Sequence, residues 1–169
     1  LDDFLYYKEL QIFLEQMVGK NLYFNLLIFF LFSLAWVSLL GFGSPLLLIS
    51  GILFGKWIGT FISVLSISIG SLVLYSLASF FFKDLVYNIL EKRFLKYIHL
   101  FRKNEFNYFL AFRLAGGLGI PFGLQNILPV LFDIKKLNYF FASFLGFIPM
   151  FFIWNTIGLG LNQYILIFD

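Results

Sequence analysis

The chain reads as an all-α, polytopic membrane protein with two re-entrant hairpins in an inverted-repeat arrangement and about three or more transmembrane helices. Three observations predict this. Hydrophobic residues make up 61% of the chain, charged residues only 12%, and mean hydropathy is +0.92, whereas soluble domains carry about a quarter charged residues. The run Asn21 to Leu40 holds no charge and, at about 1.5 Å per residue, is long enough for a hydrocarbon core of about 30 Å. Two further apolar blocks are each interrupted by glycine and proline in places where an uninterrupted lipid-exposed span would need regular helix.

Composition also excludes several classes of function. The 26 Phe and 9 Tyr exceed what one core of this size needs, and lipid-facing surface accounts for the excess. With no Cys there is neither a disulfide framework nor a thiolate metal site, and His99, the single His, cannot form an imidazole cluster. No cofactor is expected. The net charge of +3 fits loops held on the cytoplasmic side of a membrane and gives no reason to invoke nucleic acid. The chain opens at Leu1 rather than Met, which leaves an earlier start open. No cleavable signal peptide is read, because Asp2, Asp3, Glu9 and Glu15 precede the first apolar run.

Taken in order, residues 1–20 place Leu5, Leu10, Phe13, Leu14 and Met17 near helical spacing against Lys8, Glu9 and Glu15, the pattern of an interfacial helix. The membrane domain is 21–169, and 21–40 is its clearest crossing. Residues 41–60 form the first expected re-entrant element. Pro45 and Lys56 bracket a stretch too short to cross, and Gly41, Gly43, Gly51 and Gly55 supply turns and close contacts. Residues 61–82 are long enough to cross and carry Ser63, Ser66, Ser68, Gly70 and Ser71, small residues that let membrane helices approach closely.

Residues 83–108 change character, with Lys83, Lys92, Arg93, Lys96, Arg102 and Lys103 among Asp84, Glu91 and Glu105. This is read as a basic cytoplasmic loop with an amphipathic surface helix. The second expected re-entrant element, 109–133, contains Arg113, Gly116, Gly117, Gly119, Pro121, Asn126 and Pro129. Interrupted backbone at membrane depth survives only when buried in protein or lining a polar cavity. A last crossing, 137–157, and an apolar tail, 158–169, follow. Placing 83–108 in the cytoplasm puts Lys8, Lys20, Lys135 and Lys136 there too, with three crossings, and a further crossing after Asp169 is left open.

The two broken blocks share a pattern. Gly41, Gly43 and Pro45 match Gly117, Gly119 and Pro121 as G-x-G-x-P at an offset of 76 residues, and the same offset carries Gly70 onto Gly146. A re-entrant segment followed by a crossing helix, repeated with opposite sense, is a plan of many secondary transporters.

Arg113 is the sharpest candidate for chemistry. A cation inside an apolar run costs several kcal/mol unless paired or hydrated; it either lines a polar cavity or snorkels to the interface. Gln125 and Asn126 are its expected partners, their other role being to satisfy backbone freed by Pro121 and Pro129. Half-helix ends at mid-membrane would suit a phosphate-bearing headgroup. Glu105 and Asp133 flank the hairpin and are candidates for proton or ion coupling, while Asn155 and Asn162 read as inter-helix hydrogen bonds. No metal site, nucleophile set or phosphate-binding loop is present in the sequence, so an enzyme is not expected.

The stretch GSPLLLISGILFGKWIGTFISVLSISIGSLVLYSLASFFF, the second signature FLAFRLAGGLGIPFGLQNILPVLF and the closing Gly146 to Pro149 together resemble the DedA / SNARE-associated Golgi protein superfamily, the VTT domain, over about residues 41–160. The resemblance implies a multi-pass inner (cell) membrane protein with paired re-entrant hairpins, whose relatives include scramblases and flippases for phospholipids or polyprenyl-phosphate carriers. It gives Arg113, Pro121 and Asn126 the positions of the family's motif Arg, Pro and Asn. The chain departs from the pattern in three places. Ser79 stands where an Arg is usual, the first re-entrant segment has no acid, and Gly119 replaces a second Arg. Proton coupling by the bacterial DedA scheme is therefore not implied. Two readings follow: a lipid scramblase or flippase acting on an anionic headgroup, or a membrane scaffold or assembly factor of the same fold. Membrane lipids are the expected partners under both, and homo-oligomerisation is left open.

Overall fold

Apolar residues without Gly or Pro fold as helix, since in a low-dielectric setting every backbone donor must find its acceptor within the segment. In the computed structural model, which describes residues 21–40, 43–85, 87–88 and 103–167, α1 spans Leu22–Leu40, α2 Ser44–Phe81, α3 Glu105–Leu114, α4 Phe122–Ile127 and α5 Lys136–Ile167. No strand occurs among the described residues. Three of these helices, α1, α2 and α5, are long and apolar enough to cross a membrane. The expected interfacial helix of 1–20, Gly41, most of the basic loop with His99, and the end of the tail lie outside the described residues.

Glycine decides where α2 bends. Gly55 has φ 72° and ψ 179°, a conformation open only to glycine, and the chain doubles back there. Ser63 Oγ donates to Ser50 Oγ at 2.8 Å, and a side chain placed on Gly43 would meet Ile67 Cδ1 at 3.1 Å. Pro45 occupies the first turn of α2, where its missing N–H breaks no helical bond. The return arm, 56–81, runs without a break through the boundary that the sequence places at 60/61. Helix α1 lies antiparallel to the arm 44–54. Phe29 packs on Phe54 with ring centroids 5.5 Å apart, and Ser38 Oγ reaches the carbonyl of Gly70 at 3.4 Å. The C-terminal end of α1 therefore stops beside the middle of the arm 56–81.

The second hairpin turns through Gly116–Gly119 and returns along α4 and a 3-10 stretch, Leu128–Phe132. Its two ends are tied together. Glu105 accepts from the Lys135 amide at 3.2 Å and from Asn138 Nδ2. Asp133, in the left-handed region at φ 49°, pairs with Lys83 Nζ at 2.7 Å. Tyr75 Oη donates to the Ile134 carbonyl at 2.7 Å. Helix α5 then continues through Ile167, so the apolar tail expected at 158–169 is, as far as described, the end of that helix.

The outside of this fold is apolar, and small polar residues share the inside with apolar ones. Leu39, Trp57, Phe80 and Leu137 are exposed, whereas Ser33, Ser50, Ser63, Ser66, Ser68, Ser71 and Ser143 are fully buried. Small polar residues inside let backbones touch, and large apolar ones face outward to lipid. The arm 56–81 and α5 run antiparallel, with Tyr75 stacked on Tyr139 (4.5 Å, 12°) near one end and Gly59 packed against Asn155 near the other. Contacts repeat at the offset read from the sequence. Val37 packs on Gly70 and Arg113 packs on Gly146, each pair displaced by 76 residues from the other.

The joint between α5 and the first hairpin is close-packed backbone. A Cβ on Gly158 would lie 3.1 Å from Gly51 Cα and 3.2 Å from Ile52 N, whereas one on Gly160 would meet nothing within 4 Å. Gly158→Leu is expected to destabilise the protein by about 2 kcal/mol or more, the scale of overpacking a tight contact, and Gly160→Leu to leave it unchanged. Unfolding in detergent, followed by tryptophan fluorescence, checks both.

Candidate functional site

The last turn of α3 delivers Arg113 to the inside of the second hairpin, where it is 2% exposed. Three side chains meet it. Nη2 donates to Asn126 Oδ1 at 2.7 Å and to Tyr139 Oη at 3.0 Å, and Nη1 donates to Gln125 Oε1 at 3.4 Å. Four rings surround the guanidinium, with its carbon 4.7 Å from the Phe147 centroid, 4.8 Å from Phe109, 5.6 Å from Tyr139 and 5.8 Å from Phe122. Each such contact contributes about 0.5–2 kcal/mol depending on desolvation. Among the described residues no carboxylate pairs with Arg113. Its partners are neutral, so the site keeps a full positive charge.

The hydrogen-bond inventory is incomplete in one direction. A guanidinium has five donors, and Arg113 Nε has no partner; neither does Asn126 Nδ2. Buried donors without acceptors are rare because each costs about 1–3 kcal/mol. Both belong to the same cluster and both are donors, which is complementary to an anion.

Arg113 forms part of the wall of a cavity of about 210 Å³. Gly43, Ser44 and Leu47 enter it from the start of α2, Gly116, Phe122 and Gln125 from the second hairpin, and Phe147, Met150, Phe151 and Trp154 from α5. The N-terminal end of α2, which no side chain caps, and the tip of the second hairpin thus share one space. A helix N-terminus carries a partial positive charge, of the same sign as Arg113. Apart from Ser44 and Gln125, the rest of the wall is aromatic and apolar.

Of the residues singled out from the sequence, Arg113, Gln125 and Asn126 are joined directly and Gly43 lines the cavity. Pro121 precedes α4 at φ −53° and shapes the tip without lining the cavity. Gly117 and Gly119 hold positive φ at that tip, Gly51 packs on the backbone of Asn155, and Gly55 is the turn of α2. Glu105 and Asp133 sit at the mouth of the second hairpin, tied to Lys135, Asn138 and Lys83, and neither lines the cavity. Asn155 bridges helices, with Oδ1 accepting from Ser50 at 2.6 Å. Tyr139 escaped the sequence reading, hidden among many aromatics. The offset of 76 could have found it: Val37, Ser50 and Ser63 of the first unit fall on Arg113, Asn126 and Tyr139 of the second. Both triads are in contact at the same two places, Ser63 on Ser50 and Tyr139 on Asn126, but only the second contains a charge.

Helices long and apolar enough to cross a membrane, packed around a buried cation, define the class as an α-helical membrane protein. The chain belongs to the VTT domain family, the domain of the DedA/SNARE-associated Golgi proteins, whose family model matches residues 41–159. No curated protein and no solved structure matches the chain.

Removing the acceptor from a buried hydrogen bond to a charged group costs about 1.5–3 kcal/mol, while replacing both partners by apolar residues of similar shape is often near neutral. Asn126→Leu is accordingly expected to destabilise the protein strongly, and Arg113→Met combined with Asn126→Leu to recover most of the loss. A double-mutant cycle on unfolding in detergent measures the coupling, and additive effects would show that the two side chains do not interact.

Proposed function

We propose that this protein moves lipids bearing a phosphate headgroup between the leaflets of a membrane, as a scramblase or flippase. The observation that carries the reading is Arg113, a buried arginine with neutral partners and an unpartnered Nε on the wall of a cavity shared by both hairpins. Burying a cation without a counter-ion is costly, and an anionic headgroup entering the cavity supplies the missing charge. The aromatic and apolar remainder of the wall suits the part of a lipid adjoining its headgroup. Such translocation breaks no covalent bond and asks for no nucleophile.

In this reading both hairpins are re-entrant and enter from opposite faces. The end of α1, the start of α2 and the tip Gly116–Gly119 lie near mid-depth, and the crossings are the arm 56–81 and α5. That gives two crossings where the sequence gives three, because α1 ends beside the middle of the arm 56–81. The basic loop 83–108 faces the cytoplasm of a multi-pass protein in the cell membrane.

Reconstitution into vesicles with a fluorescent phospholipid tests the proposal. The wild-type protein should accelerate flip-flop over protein-free vesicles, and Arg113→Met should lower the rate by about tenfold or more, the equivalent of one charge-assisted hydrogen bond. A scaffold would accelerate nothing. Equal rates for wild type and Arg113→Met, or no acceleration by either, would overturn the reading.

A further inference from the structure

We infer that Gln125 is a positioning residue that latches the tip of the second hairpin and lets it go when an anion displaces it from Arg113. The inference rests on the anion reading of the cavity given above and adds to it a link between occupancy and the shape of the tip.

The tip is an unusual piece of backbone. Gly116, Gly117, Leu118 and Gly119 have φ of 67°, 70°, 56° and 78° in succession, a left-handed run that L-residues avoid. Glycine removes the penalty at three positions, but Leu118 bears it. Two backbone bonds cross it, the Leu118 amide to the Ala115 carbonyl at 3.4 Å and the Ile120 amide to the Gly117 carbonyl at 3.1 Å, while the Leu118 side chain is 74% exposed and the Gly119 Cα faces open space.

A single side-chain amide closes the loop from inside. Gln125 Nε2 donates to the carbonyl of Ile120 at 2.6 Å and to that of Gly116 at 3.3 Å, spanning both ends of the left-handed run. The amide also lies against Gly117 so closely that any Cβ there would overlap it. Its remaining atom, Oε1, accepts from Arg113 Nη1 at 3.4 Å. Gln125 therefore joins the cation to the tip.

This is the longest of the three Arg113 bonds, and its acceptor is neutral. An anionic oxygen in the cavity makes a shorter, charge-assisted bond and takes Nη1 from Gln125. The displaced Oε1 is then a buried acceptor without a donor, which drives the amide to reorient, and the tip loses the side-chain clasp that joins its two ends.

The chain has no Cys, so Leu118→Cys carrying a nitroxide reports on the tip alone. In detergent, the wild-type background should give an immobilised spectrum, and a saturating water-soluble phosphatidic acid should raise the mobile fraction about tenfold, as expected when a few hydrogen bonds hold a local opening equilibrium. Inorganic phosphate in a parallel arm shows whether a free anion suffices, and the matching diacylglycerol, which lacks phosphate, should change nothing. Gln125→Met, similar in size, should be mobile without ligand and unresponsive to it. Gln125→Glu should also be mobile, because its carboxylate still holds Arg113 but repels the Gly116 and Ile120 carbonyls; a merely space-filling Gln125 would leave this variant immobile. An immobile tip in ligand-free Gln125→Met overturns the latch. Calorimetry separates the two claims: binding with an unchanged spectrum sinks the latch alone, and absence of binding sinks the anion reading together with the release step.

Discussion

The cost of holding one guanidinium away from water organises the centre of this protein. Arg113 is surrounded by an amide, an amide, a phenol and four ring faces, each of which offsets part of the desolvation and none of which neutralises the charge. The supports come from α3, α4 and the start of α5, so these elements must all be in place before the cation is tolerated. Tyr139 extends the demand outward by stacking on Tyr75, which fixes the arm 56–81 as well. The pull of one residue thus reaches most of the second hairpin and both long antiparallel helices.

The two units solve the same packing problem with different chemistry. Where the second places Arg113, Asn126 and Tyr139, the first places Val37, Ser50 and Ser63, and the amide of Asn155 closes the neutral cluster from α5. Glycines at 51, 59 and 158 bring that joint to backbone contact. The first hairpin is held by close contact and small hydrogen bonds. The second is held around a charge and keeps a cavity beside it.

Much of this was legible in the letters because membrane constraints are severe. Arg113 had to find polar company, and the nearest amides across a glycine turn were Gln125 and Asn126. The recurrence of G-x-G-x-P likewise marked two breaks of common design. Boundaries were less legible. Helices apolar on every side carry no stripe to show which face is buried, so the pairing of α1 with the arm 44–54 left no trace in the spacing. Gly55 was one of several glycines, and only its positive φ distinguishes it as the turn. A carboxylate at a hairpin mouth has the same letter whatever it binds, so the partners of Glu105 and Asp133 were not legible. The structure supplies them.

The confinement of buried charge to one of the two units has an electrical meaning. A membrane potential does work on a moving charge, about 2.3 kcal/mol per elementary charge per 100 mV for a full traverse, and none on a neutral group. In an energised bilayer, displacement of the second hairpin along the field would carry the buried Arg113 with it, while the same displacement of the first, with Val37 in the corresponding place, would move no buried charge. The two units, alike in glycine pattern and in where they pack, are unequal partners in voltage.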